Sequence, residues 1–261
     1  MDTIVRDRWE ANADAWSRHV RAGYDVYRDT LNTPAFLAFL PAVKGYRGLD
    51  IGCGEGANTR SVARLGAAMT AVDFAPTFIR YAREAETVEP LGIRYEVADA
   101  QSLPFASASF EFAIAFMSLM DMAHQDRVLK EARRVLCPGG FLQFTILHPC
   151  FCPPHRKVLR NADGHTRAIE VAGYFDMIDG REDVWYFETL PEAERAKDAP
   201  FRTPRFHRTL SEWVGMVVAA GFVIEAMCEP AASPELAARE QVVEDTLVVP
   251  MSLIVRCRVP A

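Results

Sequence analysis

The sequence predicts an α/β fold: a mostly parallel sheet with helices on both of its faces. Three observations predict it. Short apolar runs alternate with segments of helical period between residues 48 and 147. The first run, Leu49-Asp50-Ile51, opens directly into Gly52-Cys53-Gly54-Glu55-Gly56, with glycines at alternate positions before a helix-like stretch. Six prolines then break the rhythm across residues 148–208 before it resumes. Strand and helix alternating at this spacing require parallel neighbours joined by right-handed crossovers.

The elements follow in order. Val5, Trp9, Ala13, Trp16 and Val20 recur at helical spacing, which predicts an amphipathic helix over residues 4–20. Tyr24, Tyr27 and Arg28 come next in a less periodic stretch, and Asn32-Thr33-Pro34 punctuates the chain before the apolar run 35–40. Strands are expected near 48–52, 68–72, 93–97, 111–116 and 141–147, with helices near 57–65, 76–86 and 124–136. A further helix is expected over 209–220, and two late strands over 222–229 and 246–259. The chain thus divides into an N-terminal helical lid (1–44), a ligand-binding core (45–147), an insertion read as a lid over the substrate (148–208) and a C-terminal return to the core (209–261).

Composition narrows the function. Of 261 residues half are hydrophobic and 25% charged, enough to bury a substantial core. A net charge of −6 argues against a broad phosphate-binding surface, so no nucleic-acid partner is expected. No apolar run approaches membrane-spanning length. Asp2, Arg6, Asp7, Arg8 and Glu10 crowd the start where a secretory segment would be apolar. The six cysteines are scattered, which fits reduced thiols and a cytoplasmic setting. His148, Cys150, Cys152 and His155 lie close together, but their spacing matches no common zinc pattern and prolines stiffen the segment, so no metal is expected. A monomer or a homodimer is compatible with all of this.

The glycine turn admits two cofactors. Residues 52–57 satisfy G-x-G-x-x-G/A, and Asp73 lies at the downstream distance where a dinucleotide site places its acid. The turn alone therefore leaves a nicotinamide dinucleotide open. Asp50, two residues before the first glycine, would repel a pyrophosphate but suits a cationic amino-acid end. A second acidic turn, Val97-Ala98-Asp99-Ala100, precedes Leu103-Pro104-Phe105, and Leu136-Cys137-Pro138-Gly139-Gly140 leads into the strand at 141–147. Together these motifs, in this order, resemble the class I S-adenosylmethionine-dependent methyltransferases, most of all the small-molecule group that includes ubiquinone- and menaquinone-biosynthesis enzymes. The resemblance covers residues 45–147 and reappears weakly at Phe206-His207-Arg208-Thr209-Leu210-Ser211-Glu212-Trp213, Ala220-Gly221-Phe222 and Glu229-Pro230.

What the resemblance implies is a Rossmann-like seven-stranded sheet with its last strand antiparallel, and methyl transfer from S-adenosylmethionine to a small organic acceptor; the aromatics in both presumed lid segments suit an acceptor of aromatic or lipophilic character. The resemblance assigns Gly52, Gly54 and Gly56 to the turn around the donor's methionine and ribose, with Asp50 toward the ammonium. Asp73, followed by Phe74, would take the ribose hydroxyls, because an ionised carboxylate has two acceptor oxygens. Asp99 and Ala100 would hold the adenine, and Met117 and Ser118 would line the adenine or methyl end. Tyr24 and Arg28 are the candidates to close over the donor. If a general base is used, His148 is the first candidate, His207 the second and His124 the third, although an already nucleophilic acceptor needs none. Arg202, Arg205 and Arg208 are candidates for an acidic group of substrate or donor, and Tyr174, Phe175, Trp185, Tyr186 and Phe187 for an aromatic wall. A nucleic-acid methyltransferase such as a tRNA enzyme, an NAD(P)-dependent oxidoreductase and a donor-binding protein without catalysis are the competing readings.

Overall fold

The computed structural model describes residues 2–261. The chain opens with helix α1 (Asp2–Arg21), a π-helical turn (Arg28–Asn32) and α2 (Thr33–Phe39). Then come β1 (Arg47–Ile51), α3 (Ala57–Arg64), β2 (Ala68–Asp73), α4 (Pro76–Val88), β3 (Arg94–Val97), β4 (Phe110–Phe116), a 3₁₀ turn (Leu119–Asp121), α5 (Gln125–Val135) and β5 (Leu136–Leu147). The insertion holds β6 (His155–Arg160), β7 (Thr166–Ala172), β8 (Ile178–Trp185), the short α6 (Glu192–Arg195) and β9 (Phe201–His207). The chain finishes with α7 (Leu210–Ala219), β10 (Val223–Cys228), α8 (Pro234–Arg239), a 3₁₀ turn (Gln241–Leu247) and β11 (Ser252–Arg258).

Seven strands form one sheet in the order β10-β11-β5-β4-β1-β2-β3. β1 to β5 are mutually parallel, and β11 runs antiparallel between β5 and β10. Side chains alternate between two cores, as the two-residue period of a strand demands. Ala113, Ala115, Leu142 and Phe144 pack with Val128, Leu129 and Trp213 on one face, whereas Phe112, Ile114 and Met69 pack with Phe36, Val62 and Ile79 on the other. Burial on both faces is why these strands read as continuous apolar runs. Chain order reverses at β1, with β2 and β3 to one side and β4 and β5 to the other. In such sheets the crevice outside the strands' carboxyl ends at that point is where ligands bind.

Two expectations need correcting. β5 starts at Leu136, not 141, because Leu136 already pairs with Phe110; the three residues Pro138 to Gly140 bulge out before the register resumes at Phe112 and Phe141. The late strand begins at Ser252, since residues 241–247 coil into a 3₁₀ turn. Residues 148–208, where prolines break the rhythm of the sequence, form two antiparallel hairpins, β6–β7 and β8–β9. The second hairpin packs on α1 through an aromatic cluster. Ring centroids of Trp16 lie 5.6 Å from Trp185, 5.0 Å from Phe187 and 5.1 Å from Phe201.

Candidate active site

A cavity of about 540 Å³ opens at the carboxyl ends of β1, β2, β3 and β4, within the size range of small-molecule sites. The turn after β1 is pinned from below: Gly52 N–H and Cys53 N–H both donate to the Val72 carbonyl, at 2.9 and 3.0 Å. Gly52, Cys53 and Gly54 line the cavity. At Gly52, with φ +75°, a Cβ would stand 2.6 Å from Ser118 Cβ; at Gly54, with φ +55°, it would meet open space. The first glycine therefore allows β1 and β4 to close on each other, and the second leaves room for a ligand against the backbone.

Asp73, ending β2, lines the cavity and already accepts two backbone hydrogen bonds. Gly54 N–H donates to Oδ2 and Ala75 N–H to Oδ1, each at 2.9 Å. Burial pushes its carboxyl up to about 6 against the pull of those two bonds. An ionised carboxylate accepts about four bonds, so half its capacity stays open. Phe74, Ala98, Asp99 and Ala100 continue the wall, with Asp99 Oδ1 accepting from Gln101 N–H at 2.8 Å. Met117 and Ser118 complete this half beyond β4. Met117 holds φ +50°, a left-handed conformation that costs a side-chain-bearing residue about 1–2 kcal/mol. Its N–H donates to the Thr145 carbonyl at 3.0 Å, while Ser118 Oγ donates to the Ile51 carbonyl at 2.7 Å.

Asp50 and Gly56 stand behind this wall instead of on it. Asp50 is fully buried; its Oδ2 accepts from Thr59 Oγ1 at 2.6 Å, and its Oδ1 has no hydrogen-bond partner. Burial pushes its carboxyl up to about 7. At Gly56 a Cβ would meet Tyr95 Oη at 2.8 Å, so that glycine lets α3 pack closely on its neighbours. Tyr24 and Arg28 both reach the cavity from the N-terminal segment. Arg28 Nη1 lies 3.6 Å from Glu55 Oε1 in the glycine turn, and its Nε pairs with Asp29 at 2.7 Å.

The histidine expectations divide. His148 is buried and does not line the cavity; its Nε2 bonds Glu229 Oε1 at 2.8 Å and its Nδ1 accepts from Cys150 N–H at 3.2 Å. With both ring nitrogens engaged away from the cavity, it is withdrawn as a base candidate. His207 does line the cavity, donating from Nε2 to the Tyr174 carbonyl at 2.8 Å, and burial holds its pKa below the usual histidine range. His124 sits at the start of α5 and is not on the cavity wall. Among the described residues no group of three or more His, Cys, Asp or Glu is placed to hold a metal ion.

The far half of the cavity is walled by Trp16, Trp185, Tyr186, Phe187, Phe206 and Trp213. Arg205 and Arg208 face it but are tied to the protein. Arg205 donates to the Cys152 and Pro153 carbonyls and to Asp183; Arg208 donates to Asp179 at 2.6 Å and to the His207 carbonyl at 2.8 Å. Arg202 lies outside, paired with Glu182. Sequence reasoning missed Asp121, which ends the 3₁₀ turn after β4 and lines the cavity. Burial pushes its carboxyl up to about 8, with Asp183 adding to the rise and Arg205 opposing it.

A family model described as a methyltransferase domain matches residues 49–144. The demethylmenaquinone methyltransferase of Tropheryma whipplei (strain Twist) is 36% identical over 200 residues, which is 71% of this chain and 82% of that protein. The malonyl-[acyl-carrier protein] O-methyltransferase of Enterobacter lignolyticus (strain SCF1) is 32% identical over 134 residues, covering 51% of this chain and 52% of that one. Across the curated relatives the chain spans from 27% to 82% of their lengths. An S-adenosylmethionine-dependent methyltransferase from Mesorhizobium loti superposes with a TM-score of 0.68 at 26% identity, over 86% of this chain and 96% of that one. The strand order with β11 reversed, the glycine turn beside an orphaned buried acid, and these relatives agree. The chain belongs to the class I S-adenosylmethionine-dependent methyltransferases, and is an enzyme that moves a methyl group from S-adenosylmethionine to a small organic acceptor.

Proposed function

We propose that the acceptor is a small, uncharged, largely apolar aromatic molecule that presents a hydroxyl group. One observation carries this reading: the far half of the cavity is aromatic, and both arginines facing it already serve protein oxygens. An anionic acceptor there would find no uncommitted cation among the described residues, whereas a flat apolar ring meets six aromatic side chains. Of the two relatives, the demethylmenaquinone enzyme fits this better than the malonyl one.

The residues present fit the donor. Gly54 offers open space against its backbone, and Asp50 Oδ1 is a buried acceptor without a partner directly under the turn. We assign Gly52, Gly54, Asp73, Phe74, Asp99, Ala100, Met117 and Ser118 to holding it. Asp73 would use its remaining acceptor capacity on the ribose hydroxyls, and Asp99 would take the adenine amino group. Arg28, held beside Glu55 of the glycine turn, and Tyr24 close over this end of the donor. Asp50 acts through the turn, since it does not reach the cavity. S-adenosylmethionine, when bound, supplies a sulfonium methyl whose departure leaves a neutral thioether. The chain's part is to fix the acceptor against that methyl and exclude water, and alignment alone is worth about 7–11 kcal/mol of a barrier. His207 and Tyr174 brace the acceptor wall.

The experiment is an acceptor panel with S-adenosylmethionine, reading S-adenosylhomocysteine release. Naphthols and hydroquinones are expected to be methylated and short-chain carboxylic acids not. Faster turnover on the carboxylic acids would overturn the reading.

A further inference from the structure

We propose that Asp121 is a catalytic residue: its carboxylate takes the proton that the acceptor hydroxyl gives up as the methyl is received. The inference rests on the aromatic-hydroxyl reading above and deepens it. Asp121 lies three residues beyond Ser118, so it follows β4 directly past the segment assigned to the adenine or methyl end of the donor. It lines the cavity alongside Met120 and Met122. No hydrogen bond to its carboxylate is formed within the protein among the described residues, unlike Asp73, Asp99 and Asp183, which all accept one.

The surroundings suit a proton acceptor. From β8 and β9, Asp183, Arg205 and His207 line the same cavity, with Arg208 just after β9; α5 contributes the apolar Val128 and the end of β5 the apolar Leu147. Arg205 is shared with Asp183 and two carbonyls, so its charge does not hold Asp121 ionised as a close pair would. Burial raises the carboxyl to about 8, with Arg205 opposing and Asp183 adding, toward the range where a base transfers protons efficiently. In the step, the O–H bond of the acceptor breaks and its proton passes to Asp121 while the acceptor forms one bond to the methyl carbon. The C–S electron pair stays on sulfur, and the charges of sulfonium and carboxylate cancel.

The test compares wild type, Asp121→Asn and Asp121→Glu in the full chain, with 1-naphthol and 1,4-naphthohydroquinone as probes. Asp121→Asn is expected to bind S-adenosylhomocysteine within twofold of wild type by calorimetry and to lose about 10²- to 10⁴-fold in kcat, with Asp121→Glu recovering part of the loss. The wild-type rate should fall as pH drops below about 8, and this limb should vanish in the asparagine variant. Turnover of Asp121→Asn within threefold of wild type, or an equal loss of S-adenosylhomocysteine affinity, would overturn the assignment. If wild type methylates neither probe, the hydroxyl reading fails by itself. Asp121 is then judged by carboxyl ¹³C NMR on the S-adenosylhomocysteine complex: a resonance titrating near 8 and absent from Asp121→Asn supports it, and its absence from wild type refutes it.

Discussion

Gly52 and Gly54 sit two residues apart in one turn, yet a methyl group added at each meets different surroundings. At Gly52 it strikes Ser118, and at Gly54 it enters the cavity. Gly52→Ala should therefore unfold at a markedly lower temperature than wild type. Gly54→Ala should cost only the left-handed penalty of about 1–2 kcal/mol but weaken S-adenosylhomocysteine binding at least tenfold. Melting curves and calorimetry on the pair separate the two effects. Asp50 adds a pH dependence. Its folded pKa, about 7, lies above the ordinary 3.8, so between those values the fold keeps a proton that the unfolded chain has released. Stability contributed by this site therefore falls as pH rises from about 4 to 7. Relative to Asp50→Asn, whose amide cannot ionise but can still accept from Thr59, wild type should lose melting temperature across that window. Much of this site was legible residue by residue, because glycines and acids at strand ends carry their reason in their spacing. Asp121 was not, since Leu119-Met120-Asp121 reads as the start of a helix. The available signal was an acid within five residues of a strand's carboxyl end, set among methionines.

At the scale of elements, the core was readable because each central strand is buried on both faces and each helix on one, so polarity marks the boundaries. The hairpins of the insertion follow no such rule. β6, β7 and β8 are half exposed and carry charge at alternate or adjacent positions, as in Arg181-Glu182-Asp183, so their pattern blurs into loop. A proline that breaks the rhythm of the sequence is accommodated at an edge: Pro204 sits in β9, which pairs on one side only. α1 is held to this hairpin by Trp16. Removing a large aromatic side chain from a packed cluster costs about 3 kcal/mol, so Trp16→Ala should lower the melting temperature by several degrees. The same variant should loosen hydrogen-exchange protection in α1 and β9 together while leaving β1 to β5 unchanged.

At the scale of the whole molecule, the cavity draws its walls from two sources. The parallel sheet supplies a floor of strand ends fixed by ladder hydrogen bonds, while α1, residues 24–32 and the β8–β9 hairpin line the rest and are proposed as its cover. Reversal of β11 between β5 and β10 was foreseeable from family resemblance alone, as nothing in the local pattern of Ser252–Arg258 distinguishes a parallel from an antiparallel strand. The cover has a kinetic implication. Trp16 and its ring partners Trp185, Phe187 and Phe201, more than 150 residues away along the chain, tie the two pieces into one knot of indole and phenyl rings. Exchange of spent for fresh donor would then demand a concerted breathing motion, and in stopped-flow experiments release of S-adenosylhomocysteine should accelerate in Trp16→Ala. A single aromatic junction would set the tempo of turnover from outside the chemistry.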